Sequence, residues 1–297
     1  MDEWPEIRAW RKTARAKLIG ARVAVPAALR TAWTDDLAKG LRDILADAPQ
    51  PISFYWPFKG EPDLRPLMRT LAAEGAAVAL PVAVRLGDPM TFRPWTRGAP
   101  MERGIWDIPI PATKTEVVPR TLIAPFVGFD RASYRLGYGG GFFDRTLAKL
   151  GPAASAIGVG FSLFELPTIH PQPHDVPMVR VLTEAASRDV RESASPVCYL
   201  DEADAAYSGF LSDDELAAAL RPLASAIPPE LRPLLDLVLW RLAGTAEGLP
   251  RDSGLSANVS ENLSTLLPRI RDDAIHRIVE VLRRSFENEG SKGFRPA

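Results

Sequence analysis

Residues 135–150, RLGYGGGFFDRTLAKL, constrain the fold of this chain more than any other stretch. Gly137, Gly139, Gly140 and Gly141 fall within five residues and run straight into Phe142, Phe143, Asp144 and Arg145. The apolar spacing that follows predicts a helix over 142–150. The apolar segment LIAPFVGFD (122–130) just before it reads as a strand. A flexible linker does not end in two phenylalanines. The pattern calls for strand, tight loop and helix, the repeating unit of a layered α/β fold.

The rest of the first 190 residues fits that frame. Residues 4–22 read as a helix with an apolar stripe at Trp10, Ala14, Leu18 and Ala21, and a second helix is expected over 32–46 with Thr34 as a candidate cap. ISFYWP (52–57), AAVALPV (76–82), AIGVGF (156–161) and MVRVLT (178–183) read as strands, and LRPLMRTLAAEG (64–75) as a helix closed by Gly75. Strands alternating with helices predict a largely parallel sheet, with ligands beyond the carboxyl ends of its strands. The glycine loop lies where that rule expects a site.

Composition shifts near Ser187. SRDVRESASP (187–196) lacks apolar periodicity and reads as a linker. Beyond it the chain is mainly helical, with a capping box at Ser212 and Glu215 and an apolar face at Ile275, Ile278, Val279, Leu282 and Phe286. The expected organisation is an α/β domain over 1–190 and a helical extension over 191–297. The extension's role is association, including self-association, or packing.

Bulk properties exclude several classes. A formal net charge of -1 gives no global field for nucleic acid or an anionic membrane. The apolar run Ala76–Val84 is far shorter than the ~20 residues of a spanning helix. Cys198 stands alone, so an internal disulfide and a cysteine-based zinc site are out of reach. The charged start lacks a secretory apolar core. We read the protein as cytoplasmic, with no nucleic-acid or membrane partner.

Neither standard nucleotide fingerprint fits the loop. A dinucleotide motif needs glycine where Phe142 stands, and no Gly-Lys-Ser/Thr follows the turn. Phosphate binding does not require either motif. Glycines let backbone N–H groups approach an anion, and the next helix turns its free N–H groups and positive end toward the loop. Arg135 and Arg145 flank the loop as phosphate clamps, and Asp144 stands where a divalent cation would bridge phosphates. The other reading is a plain glycine-rich turn with Asp144 as a helix-end carboxylate.

PFVGFDRASYRLGYGGGFFDRTL (125–147) resembles the signature of the 5-formyltetrahydrofolate cyclo-ligase family, also called 5,10-methenyltetrahydrofolate synthetases. Other segments are similar in order: RKTAR (11–15), GEPDL (60–64), PMTFRPW (89–95), GIWDIPIP (104–111) and HDVPMVRVLTE (174–184). The resemblance spans about residues 5–186. It implies an enzyme that uses ATP and Mg2+ to cyclise 5-formyltetrahydrofolate. On the matching positions it implies that Arg11, Arg15, Arg135, Arg145, Tyr138, Phe143 and Gly137 to Gly141 meet ATP. Phe142 would touch ATP and folate together. Arg135 and Arg145 would also serve the phosphoryl transfer itself. Asp144 and Asp175 would meet the metal, and Glu61 would take the N–H edge of the pterin. Tyr55, Trp56, Met90 and Phe92 would pack the pterin, or be ordinary core. Lys12 replaces Arg11 if the register slips by one. Three departures stand out: Arg11 where the family commonly has lysine, Phe142 and Phe143 where it has tyrosines, and the extension. The phenylalanine pair and the extension keep open a paralogue that retains the nucleotide loop but takes another ligand or has no catalytic role.

Overall fold

The computed structural model describes residues 4–189, 211–225, 227–243, 259–270 and 272–290. Contacts divide the chain into two compact units, Met1–Arg15 with Ala28–Pro196, and Ala16–Ala27 with Val197–Ala297. The division passes through the first helix, α1 (Trp4–Ala24).

The first unit is the expected layered α/β fold. After α2 (Ala27–Leu45) come β1 (Ile52–Ser53), α3 (Arg65–Ala73), β2 (Val78–Val82), β3 (Thr91–Pro94) and the hairpin β4 (Met101–Arg103) and β5 (Pro109–Pro111). Then follow β6 (Thr121–Pro125), β7 (Gly128–Asp130), β8 (Arg135–Leu136), α4 (Phe142–Leu150), β9 (Ser155–Val159), β10 (Glu165–Leu166), β11 (Arg180–Leu182) and β12 (Ser187–Asp189). Seven strands form one sheet in the order β12-β11-β9-β6-β1-β2-β3. Its five central strands are parallel, and β3 and β12 add antiparallel edges.

The order runs outward from β1 toward β2 on one side and from β6 toward β9 and β11 on the other. That reversal is a topological switch point, where the connections leave a crevice at the carboxyl ends of the strands. On one face of the sheet, Leu37, Leu41, Phe54 and Met68 pack without solvent contact. Burying each such side chain stabilises the fold by about 1.5–3 kcal/mol.

Several boundaries differ from the sequence expectation. The run 122–130 is not one strand: β6 ends at Pro125 and β7 joins a second sheet, β10-β7-β8. Both pieces are fully buried, so hydrophobicity carries no sign of the switch. Of residues 52–57, only Ile52 and Ser53 are in the ladder. α2 starts at Ala27, and Thr34 is inside it, its hydroxyl donating to the Arg30 carbonyl (2.7 Å) rather than capping. Ser187–Asp189, expected to open a linker, forms the edge strand β12, with Arg180 paired to Asp189 (2.8 Å).

The second unit holds α5 (Asp213–Leu220), α6 (Arg232–Ala243), α7 (Val259–Leu266) and α8 (Asp273–Gly290). The capping box at Ser212 and Glu215 is formed. Leu234, Leu235 and Val238 of α6 are buried, as are Ile275, Ile278, Val279 and Leu282 of α8. The Phe286 side chain and Cys198 lie outside the described residues. Residues of α1 share this unit: Lys17 pairs with Asp236, and Gly20 lies against Pro233. Among the described residues, no helix is long and apolar enough to cross a membrane.

Candidate active site

A cleft of about 1060 Å³ opens at the switch point, within the first unit. The segment after β1 supplies Tyr55, Trp56 and Glu61, β2 supplies Leu80 and Pro81, and β6 supplies Pro125. The glycine loop and the start of α4 form the facing wall. Each side chain expected on the cleft is there, Phe92 excepted: Tyr55, Trp56, Glu61, Met90, Arg11, Arg15, Arg135, Phe142, Phe143, Asp144, Arg145 and Asp175 all line it, with Tyr138 and the four loop glycines. Phe92 packs in the core. Lys12 is exposed and off the cleft, whereas Arg11 and Arg15 both line it.

The glycines serve a purpose beyond freeing backbone amides. A Cβ on Gly137 would lie 2.5 Å from Nη1 of Arg135, and one on Gly141 would lie 2.6 Å from Nη1 of Arg145. One on Gly139 would come within 3.3 Å of the Arg15 guanidinium. Three glycines therefore each admit an arginine onto the loop. Gly139 (φ +93) and Gly141 (φ +64) also need the left-handed region that other residues avoid. The arginines bond the loop they lie on. Arg15 Nε donates to the Gly137 carbonyl (2.7 Å), and Arg145 donates to that of Gly140. Gly141 caps α4 with no side-chain acceptor, so the first N–H groups of the helix face the loop.

Charge compensation on this wall is uneven. Arg135 is almost fully buried, pairs with Asp144 (3.0 Å) and stacks on Phe143, its guanidinium carbon 4.8 Å from the ring centroid. Burial pushes the Arg135 guanidinium down, against Asp144 and Asp175. Burial, then Arg11, also lowers Arg15, and the same two carboxylates oppose this. The Nε atoms of Arg135 and Arg145 are buried and make no hydrogen bond among the described residues. Four arginines against two carboxylates leave an anion-seeking wall with unspent donors.

Arg11 works differently. Its Nε donates to the Ile169 carbonyl (3.0 Å), and Nη2 to the His170 carbonyl (2.8 Å) and Asp175 Oδ2 (2.5 Å). Nη1 donates to Asp175 Oδ1 (3.3 Å). Only a planar fork makes this set of bonds, which a lysine cannot copy. Asp175 also accepts from the Gln172 N–H (2.7 Å). Burial acts to raise the Asp175 carboxyl, but Arg11 and this N–H outweigh it and hold it below the usual carboxylate range.

The opposite wall has one carboxylate. Glu61 is buried, and its Oε2 accepts from the Phe58 N–H (2.9 Å) and its Oε1 from the Tyr138 hydroxyl (2.8 Å). Tyr55 donates to the Pro62 carbonyl (2.9 Å), fixing the turn that carries Glu61. Met90 is tied to α4, its N–H donating to the Thr146 hydroxyl (2.9 Å).

Sequence reasoning left out four contributors. Trp4 and Arg8 continue the stripe of Arg11 and Arg15 along α1 into the cleft, and the spacing 4, 8, 11, 15 is the signal that marks them. Trp106 stands half exposed at the mouth with φ 58, edge-on to Phe142. Asp130 accepts from the N–H groups of Ala132, Tyr134 and Ile169, and so fixes the segment whose carbonyls hold Arg11. Burial raises the Asp130 carboxyl despite those bonds.

For a magnesium ion the donor set is small. Among the described residues no three His, Cys, Asp or Glu side chains converge. Mg2+ commonly takes one or two carboxylates and fills its shell with phosphate oxygens and water. Asp144 suits that: its Oδ1 makes only a long contact to the Val176 N–H (3.5 Å). Asp175 has both oxygens engaged.

Comparison with known proteins agrees with the fold and the motifs. A model of the 5-formyltetrahydrofolate cyclo-ligase family matches residues 7–184. The 5-formyltetrahydrofolate cyclo-ligase of Mycolicibacterium smegmatis is 34% identical over 178 residues, which are 57% of this chain and 91% of the relative. That of Haemophilus influenzae is 29% identical over 144 residues, 44% of this chain and 74% of the relative. The NMR structure of Aquifex aeolicus 5,10-methenyltetrahydrofolate synthetase shares the fold, with a TM-score of 0.53 at 23% identity over 65% of this chain and 98% of that one. The chain belongs to the 5-formyltetrahydrofolate cyclo-ligase family and is an enzyme of the ligase class.

Proposed function

We propose that this cleft cyclises 5-formyltetrahydrofolate to 5,10-methenyltetrahydrofolate at the expense of ATP. The observation that carries the reading is the pairing of two unlike walls in one cleft: a glycine loop under Arg15, Arg135 and Arg145, and a buried carboxylate, Glu61, that shares the cleft with apolar side chains. The first suits a triphosphate. The second suits a pterin, whose adjacent N–H groups match the acceptor pair of Glu61.

The formamide carbonyl of the substrate is a poor electrophile, and its oxygen is a poor leaving group. Attack of that oxygen on the γ-phosphorus breaks the bond to ADP and turns the oxygen into a phosphate ester. N10 then attacks the formyl carbon, the C–O bond breaks, phosphate departs and N10 loses its proton. Such a reaction needs positioning and charge stabilisation more than a protein nucleophile. Arg135 and Arg145 hold the transferred group, Arg15 and the free N–H groups of α4 hold the phosphate chain, and Glu61 sets the pterin. Magnesium, when bound, neutralises phosphate charge, and Asp144 is the carboxylate fitted to hold it. Asp175 instead clamps Arg11, which keeps α1 against the loop at residues 169–175.

The test is incubation of the full chain with 5-formyltetrahydrofolate and Mg-ATP, followed by the near-ultraviolet absorbance of methenyltetrahydrofolate. Product formed only with ATP is the expected result. Bound nucleotide without product would favour the paralogue that retains the loop, a reading motivated by Phe142 and Phe143. Cytoplasmic location belongs to the same proposal.

A further inference from the structure

We propose that Tyr138 couples the two walls of the cleft, so that nucleotide on the glycine loop opens the Glu61 carboxylate to folate. The inference rests on the function proposed above and adds a residue that links the two substrates.

Tyr138 belongs to the loop by its backbone and to the other wall by its side chain. On either side of it the backbone is gripped by one residue, Arg15. The Arg15 Nε donates to the Gly137 carbonyl (2.7 Å), and the same guanidinium lies against Gly139, where an added Cβ would be 3.3 Å away. The Tyr138 side chain reaches the other way. Its hydroxyl donates to Glu61 Oε1 (2.8 Å), and its ring meets Phe58 at 5.8 Å between centroids. Phe58 in turn donates its N–H to Glu61 Oε2 (2.9 Å). An unbroken set of contacts thus runs from an arginine on the phosphate side to the carboxylate on the folate side.

Both ends compete with ligand. Phosphate oxygens are stronger acceptors for a guanidinium than a peptide carbonyl, so nucleotide draws Arg15 away from Gly137. The pterin edge needs the carboxylate on which the Tyr138 hydroxyl sits. The loop has the freedom to answer: Gly139 flanks Tyr138 at φ +93, and the tyrosine is 38% exposed. Release at one end therefore eases release at the other. Two ligands acting on one two-state element must change each other's affinity by the same factor.

The experiment measures binding in the full chain, with 5-formyltetrahydrofolate and a non-hydrolysable ATP analogue plus magnesium, each titrated alone and with the other saturating. Wild type should bind folate about fivefold or more tightly with the analogue present, and the analogue should gain by the same factor from folate. Tyr138→Phe keeps the ring on Phe58 and removes only the hydroxyl. In this variant the mutual effect should fall to about onefold, as expected when the coupling element is gone. Folate alone should then bind as tightly as it binds to analogue-loaded wild type. Independent binding in wild type, or undiminished coupling in Tyr138→Phe, overturns the inference while leaving the function intact. Failure of wild type to bind either ligand overturns the function and the inference with it.

Discussion

The two walls of the cleft solve recognition by opposite means. On the loop wall, Arg15, Arg135 and Arg145 lie against a glycine backbone, Asp144 pairs with Arg135, and Asp175 pairs with Arg11 beside them. On the Glu61 wall stands one buried carboxylate, in the turn that Tyr55 fixes through Pro62. The loop wall is a preorganised charge cluster, which binds by fixed electrostatics. The Glu61 wall is a buried acceptor pair, which discriminates because an unmatched partner leaves it unsatisfied. A perturbation on the loop wall should therefore act on turnover and stability together, and one on the Glu61 wall on the choice of ligand.

The largest effect is expected from Asp144→Asn. It removes the charge that compensates Arg135, whose side chain is only 4% exposed. Loss of one partner of a buried pair costs about 3–5 kcal/mol. Turnover should fall by about 100-fold or more, the scale of losing one electrostatic stabiliser. Steady-state kinetics and thermal unfolding check both, and wild-type turnover at ordinary magnesium would contradict the assignment.

Next comes Gly141→Ala. The new Cβ would meet Arg145 at 2.6 Å with the backbone at φ +64. Strain at such a position is about 1–3 kcal/mol. The displaced Arg145 should raise the apparent KM for ATP, with little change in the KM for folate. Equal changes in both would place Arg145 on the wrong wall.

A smaller effect separates two carboxylates by pH. Asp175 is held low in the folded protein, so its stabilisation is complete above the ordinary Asp value of about 3.9 and is lost as pH falls through its lowered value. Asp130 is raised by burial, so its ionisation costs stability, and that cost is relieved as pH falls through its raised value. Thermal unfolding of Asp175→Asn should lose acid dependence below about pH 4, the ordinary Asp range. Asp130→Asn should lose the opposing slope above it.

Much of the loop wall was legible because it is local. Strand, glycines and helix follow one another within 122–150, and the four-residue spacing of Arg11 and Arg15 marks one helix face. The contacts between distant segments were not. Nothing in Asp175 by itself says that it closes on Arg11 across 164 positions, or in Tyr138 that it reaches Glu61 across 77. Polar β12 carries no strand pattern, since an edge strand needs little apolar surface. No local signal marks the grouping of residues 16–27, the end of α1 and the turn after it, with the extension. The smallest effect follows from that. A chain ending at Ser193 should keep turnover but lose the partners of Lys17 and Gly20, lowering Tm by a few degrees, as about 1 kcal/mol does in a protein of this size. Folded, nucleotide-binding protein without turnover would give the extension a place in the chemistry.

The most direct measurement is a pair of titrations on two variants, Glu61→Gln and Arg15→Ala, each against 5-formyltetrahydrofolate and against Mg-bound ATP analogue, one ligand at a time. Glu61→Gln turns half of the acceptor pair into a donor and should weaken folate by about 10-fold or more, the cost of an unmatched buried group, with the nucleotide almost unchanged. Arg15→Ala should weaken the nucleotide without weakening folate. Equal losses of both ligands in both variants, or loss of nucleotide alone in Glu61→Gln, would contradict a cleft with two separate walls.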